Sequence, residues 1–252
     1  MATTRSATKN SSSASAAATT YAHAPSALTL VWLAVSLPLV AWDCGYVLMR
    51  PRTMPGGDLH WPLWTPYALY GEVDHVYGWK AFNAGSGFTG AQGLLNVLET
   101  LMYLYYAAAY LRNATSVSGR KVVVGRTAAV AVLVGFSAAV MTLSKTVLYC
   151  EFLVIFYVLV VRRSLDKGGI VGIREMGIGW GEGSSLANYG MFAGLCEYYS
   201  GFDNIGHNSL QDLIVLWIIP NGAWLIFPTI MIYELGSEMV ENLAAGAGVK
   251  RD

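Results

Sequence analysis

The chain has 252 residues, of which 54% are hydrophobic and only 13% charged, far below the roughly 25% charged residues of an ordinary water-soluble domain. Its 16 Lys and Arg balance 16 Asp and Glu, and the basic residues are scattered along the chain. It therefore carries no field that would draw it to nucleic acid. The balance excludes a conventional soluble enzyme and a nucleic-acid-binding module, and it points to lipid as the main solvent.

Residues 1–26 are rich in Ser, Thr and Ala and hold no apolar run, so they are expected to form a disordered tail. They show neither the hydrophobic core of a signal peptide nor the arginine pattern of a transit peptide. Four segments then reach the ~20 apolar residues that a helix needs to cross a bilayer: about 27–49, 90–111, 127–149 and 212–235. Backbone groups in lipid must be satisfied within the segment itself. The expected fold class is therefore all-α, an integral membrane four-helix bundle, with residues 236–252 as a C-terminal tail.

Between the first two spans, Pro51, Pro55, Gly56, Gly57 and Pro62 break the chain, and an aromatic stretch from Leu63 and Trp64 through Tyr67, Tyr70 and Tyr77 to Trp79 follows. Such rings settle at headgroup level, which predicts an interfacial amphipathic segment over the bundle mouth. Arg5, Lys9, Arg112, Arg120, Lys121, Arg126, Lys250 and Arg251 fall on one side of the four spans, which places both termini in the cytosol. Arg50, Arg52 and Lys80 oppose that bias. Tyr103, Tyr105, Tyr106 and Tyr110 read as an interface belt at the cytosolic end of the second span. Ser209 or Asn208 reads as the cap of the fourth.

After Tyr149 the apolar run continues, giving a helix of about 35 residues and ~50 Å, longer than tilt normally absorbs. Arg162, Arg163, Lys167 and Arg174 then fall on the side expected to be non-cytosolic. One explanation covers both conflicts: residues 150–193 are a translated, unspliced intron. Cys150-Glu151-Phe152 can encode a donor-like string, Ala187-Asn188 a branch-like string and Ala193-Gly194 an acceptor. Excision restores a tryptophan between Tyr149 and Leu195. A genuine insertion is the alternative.

Ionisable groups within spans cost on the order of 2.5–3.5 kcal/mol each on insertion scales, which singles out Asp43, Glu99 and Lys145. The orientation puts Asp43 and Glu99 at comparable depth near the non-cytosolic face, where two carboxylates can divide acid and base roles. Asn96 shares a helix face with Glu99, and Asn221 shares one with Trp224. Trp224 suits stabilisation of a cation by its ring face. The plainer role of these polar groups is hydrogen bonding between helices. The cysteines Cys44, Cys150 and Cys196 lack metal or disulfide spacing, and neither metal nor cofactor is expected.

Taken in order, Leu37-Pro-Leu-Val-Ala-Trp-Asp43, Met49-Arg-Pro, Leu63-Trp64-x-x-Tyr67 leading to Asp74, Asn96-x-x-Glu99-Thr100 and Asn221-x-x-Trp224-x-x-x-Pro228 carry a resemblance. The chain resembles the emopamil-binding, or EXPERA, superfamily over about 27–235, excluding the suspected insert. The resemblance implies an endoplasmic reticulum membrane protein with a sterol or terpenoid ligand, membrane lipid around it, and a homodimer as candidate assembly. It implies Asp43 and Glu99 as catalytic acids and Asp74, Asn96, Asn221 and Trp224 as ligand-binding residues. Where the isomerases carry a histidine and a glutamate, this chain has Leu39 and Asp43. Three activities stay open: a double-bond isomerase, a non-catalytic sterol receptor or trafficking protein, and a membrane terpene cyclase.

Overall fold

A computed structural model describes residues 21–117, 119–149 and 203–247. The suspected insert at 150–193 lies outside the described residues, as do residues 1–20 and the chain end beyond Ala247.

The elements are β1 (Ala22–His23), α1 (Ala27–Leu48), α2 (Pro66–Val73), α3 (Trp79–Asn83), α4 (Phe88–Asn113), β2 (Thr115–Val117), β3 (Arg120–Val124), α5 (Gly125–Tyr149) and α6 (Leu210–Gly246). The helix α4 packs between α1 and α5, α5 packs on α6, and α6 touches α1. The four long helices thus close an antiparallel ring. Three of them, α1, α5 over Gly125–Val147, and α6, are long and apolar enough to cross a membrane. The 26-residue α4 matches them in length but is more polar, with Asn96 and Glu99 turned inward and Leu94, Leu98, Leu101 and Leu104 exposed.

Ser26 caps α1, its Oγ accepting from the Thr29 amide at 3.1 Å and donating to Glu234 Oε2 of α6 at 2.8 Å. The first turn is thereby stitched to the last helix. Ser209, as expected, caps α6 by accepting from the Asp212 amide. Within α6, Leu213–Ile218 winds as a π-helix just before Pro220. A proline there has no N–H to give the preceding turn, and the Asn221 side chain donates back to the Trp217 carbonyl at 2.8 Å. Small residues let α5 approach its neighbours: Ala128, Ala131, Ala138 and Ala139 are fully buried and Gly135 lies against the Tyr106 ring.

Four expectations are corrected. Residues 21–26 are not a featureless tail: β1 pairs antiparallel with β3, and β3 with β2. His23 is the reason, burying its ring between Glu238 Oε2 at 2.7 Å and the Tyr106 hydroxyl at 2.8 Å. The purely helical class therefore carries a small three-stranded sheet at the end where α1 begins and α6 finishes. The helix expected to stop at 235 runs on to Gly246, because Glu238 has this partner to reach. Tyr103 and Tyr106 are core residues, 5% and 1% exposed, whereas Tyr105 is exposed, as a belt residue should be.

The segment between α1 and α4 folds over the opposite end of the ring. Trp42 Nε1 donates to the Leu63 carbonyl and Trp64 Nε1 to the Trp42 carbonyl. The Tyr46 ring stacks on Tyr67 at 3.8 Å between centroids. The expected amphipathic piece is thus two short helices, α2 and α3, clamped to α1 by aromatic rings.

Candidate functional site

Beneath α2 lies a cavity of about 420 Å3, walled by the C-terminal half of α1, the start of α4, the end of α5 and the stretch of α6 from Leu216 to Trp224. Its body is apolar and aromatic, with Leu39, Val40, Trp42, Tyr67, Tyr70, Tyr77, Phe88 and Trp224 on the wall. Its polar groups are few: Asp43, Gln92, Asn96, Lys145 and Asn221 are the principal ones. An apolar body with a handful of convergent polar groups is the usual makeup of a small-molecule site.

Three of them, Asp43, Asn96 and Lys145, join Tyr67, Glu99 and Thr142 in one continuous network. Asp43 Oδ1 accepts from the Tyr67 hydroxyl at 2.7 Å and Oδ2 from Asn96 Nδ2 at 3.1 Å. Asn96 Oδ1 accepts from the Lys145 ammonium. That ammonium also pairs with Glu99 Oε2 at 2.9 Å, and the Thr142 hydroxyl donates to the same oxygen at 2.9 Å. Burial, and after it the Asp43 carboxylate, push the Tyr67 phenol far above its ordinary range. Tyr67 therefore stays protonated and acts as a fixed donor from α2. With both carboxyls ionised, two carboxylates and one ammonium leave the network one negative charge in excess, on the cavity wall at Asp43; with Asp43 protonated the network is neutral.

Of the six site residues expected from the sequence, Asp43, Asn96, Asn221 and Trp224 line the cavity together. Glu99 does not. Asn96 and Glu99 are three residues apart, so their side chains diverge by about 60° around the helix axis. That rotation aims Asn96 at α1 and Glu99 at α5. The two acids consequently do not face each other; Asn96 and Lys145 stand between them. Glu99 lines a separate, smaller hollow with Trp32, Ser36 and Trp224.

Asp74 is also absent from the cavity wall. It is 1% exposed, accepts from Trp217 Nε1 at 3.1 Å and from the Val76 amide at 3.0 Å, and so ties the cover to the π-helical turn of α6. Tyr67 and Gln92 are lining residues that the paired-carboxylate reading left out, whereas Lys145, singled out as an intramembrane cation, joins them on the wall. Gln92 was findable, since it lies one turn before Asn96 and shares its face. Tyr67 was hidden among its aromatic neighbours, because nothing local says which of five rings turns inward.

Among the described residues no group of three or more His, Cys, Asp or Glu could hold a metal ion. No protein-family model, curated protein or solved structure matches the chain.

Proposed function

We propose that the chain is a multi-pass membrane protein of EXPERA type, with α4 as a fourth span, that takes a sterol- or terpenoid-sized ligand in the cavity beneath α2. The observation that carries this reading is Asp43: an acid held by Tyr67 and Asn96 on the wall of a 420 Å3 aromatic cavity. The endoplasmic reticulum, with both termini cytosolic, is the compartment that goes with it.

If the ligand is turned over, the chemistry is double-bond migration centred on Asp43. A protonated Asp43 gives its proton to one alkene carbon, the resulting cation lies against the rings of Trp224 and Tyr67, and the carboxylate takes a proton from the neighbouring carbon. The acid is regenerated and nothing else is consumed. Glu99, neutralised by Lys145, serves this scheme as the electrostatic anchor of the network and not as its second acid. With Asp43 ionised, the network's excess negative charge favours a second reading, a receptor that holds cationic amphiphiles without turnover.

Asp43→Asn separates the proposal from its absence. Membranes carrying the parent chain are expected to shift the double bond of a labelled sterol, or the purified chain to be stabilised by a cationic amphiphile. Asp43→Asn is expected to lose whichever property is present by at least about tenfold while still inserting in the membrane. Retention of both by Asp43→Asn overturns the assignment of the cavity as the site.

A further inference from the structure

Behind Trp224, on the side away from the main cavity, lies a hollow of about 10 Å3, close to the ~10–15 Å3 that one water-sized oxygen requires. Trp32, Ser36 and Glu99 all line it. They are 4%, 4% and 3% exposed, and Trp32 Nε1, Ser36 Oγ and Glu99 Oε1 have no hydrogen-bond partner among the described residues. Buried polar atoms are almost always paired, so three unpaired atoms on residues around one hollow mark a place built for something.

The sequence explains the convergence. Trp32 and Ser36 are four residues apart and share the inner face of α1. Glu99 comes from α4, with one oxygen saturated by Lys145 and Thr142 and the other bare. The Trp32 ring is fixed by stacking on Phe227 at 4.6 Å and by an edge contact to Trp224 at 5.0 Å. Its N–H therefore has no freedom to seek a partner elsewhere.

The three atoms define the occupant's chemistry. An indole N–H only donates, a carboxylate oxygen here accepts, and a serine hydroxyl does either. An anion would be repelled by Glu99, and a cation by the neighbouring Lys145 ammonium and the indole N–H. Only a neutral oxygen that accepts and donates at once fits, and the volume admits one heavy atom.

We propose that this hollow is an oxygen site: one hydroxyl accepts from Trp32 Nε1 and donates to Glu99 Oε1, with Ser36 Oγ as its third partner. The oxygen belongs to a buried water or to the end of an alcohol ligand. Val40 and Trp224 line both hollows, so the two share a wall, and a hydroxyl carried by a ligand in the main cavity reaches the site where these side chains yield. The alcohol source rests on the ligand reading above; the water source does not.

The test is a structure of the full chain in lipid nanodiscs, at a resolution that shows ordered water, without and with cholesterol. Density within hydrogen-bonding distance of Trp32 Nε1 and Glu99 Oε1 is expected. An isolated peak in both maps assigns it to water, and a peak continuous with the sterol assigns it to the alcohol. No peak in either map overturns the proposal. Binding of cholesterol and of a hydrocarbon analogue lacking its hydroxyl is measured in parallel. With the alcohol source, Ser36→Ala lowers the preference for cholesterol by about fivefold, one hydrogen bond's net worth. With the water source the preference does not move. If cholesterol fails to bind the parent chain at all, the ligand reading is damaged while the map without sterol still decides the oxygen site.

Discussion

Asn96 divides its amide between two helices, giving its N–H to Asp43 and its carbonyl oxygen to Lys145, and so fixes the order of charges along the network. The Lys145–Glu99 pair is 10% and 4% exposed, so breaking it strands a carboxylate in a low-dielectric interior. Lys145→Met is expected to cost about 3–5 kcal/mol, read as a fall in thermal unfolding temperature in nanodiscs. Adding Glu99→Gln is expected to recover much of the loss, since the two residues are coupled; additive losses would show that the pair is not a unit. On the cover, His75 stacks on His207 with centroids 4.0 Å apart. Burial, then His207 and Lys80, hold the His75 ring below the ordinary histidine value. The unfolded chain therefore binds more protons, so this contribution is whole above about pH 6.5 and is lost as the pH falls below it toward the folded value. Melting temperature is expected to drop on acidification from pH 7.5 to 5.5 (about two units spanning the ordinary value), and His75→Phe to flatten that drop.

Close helix approach explains how a chain with so few buried large residues on α5 holds together. A methyl group at Gly135 would lie 2.8 Å from the Tyr106 ring, while one at Gly222 in α6 would meet nothing within 4 Å. Tyr106 cannot yield easily, because its hydroxyl is committed to His23. Gly135→Ala is expected to destabilise the fold by about 1–3 kcal/mol, whereas Gly222→Ala is neutral or stabilising by up to about 1 kcal/mol through helix propensity. Thermal unfolding of the two variants side by side checks this, and equal behaviour would show that α4 and α5 do not pack through Gly135. The π-helical turn of α6 is a second feature at this scale. It offers Trp217 to Asp74 and Leu216 to the cavity, and the α-helical turn after it adds Asn221 and Trp224, which couples the shape of the last helix to the cover.

At the scale of the molecule, the ring has a dry end and a hollow end. The strands, His23 and the packed alanines close the end where α1 begins and α6 finishes, and the cavity opens under α2 at the other. For this to be a four-span protein, α4 must carry the chain back across the lipid despite its polarity. Single cysteines at Gly85 and Gly119, before and after α4, are expected to be labelled by an impermeant thiol reagent from opposite faces of sealed vesicles; labelling from one face would remove α4 from the membrane. The sequence by itself determined the helical architecture, the cover between the first two long helices, the Ser209 cap and the lining roles of Asp43, Asn96, Asn221 and Trp224. Hydropathy and helical periodicity are local properties, legible within one segment. Only the tertiary structure decided that Asn96 and not Glu99 meets Asp43, that Lys145 neutralises Glu99, that Asp74 belongs to the cover, and that Tyr21–Ser26 are clamped in place. Each of those outcomes depends on which neighbour a side chain faces across a helix interface, and a rotation of 60° about one axis, invisible in the spacing of residues along the chain, is enough to change the partner.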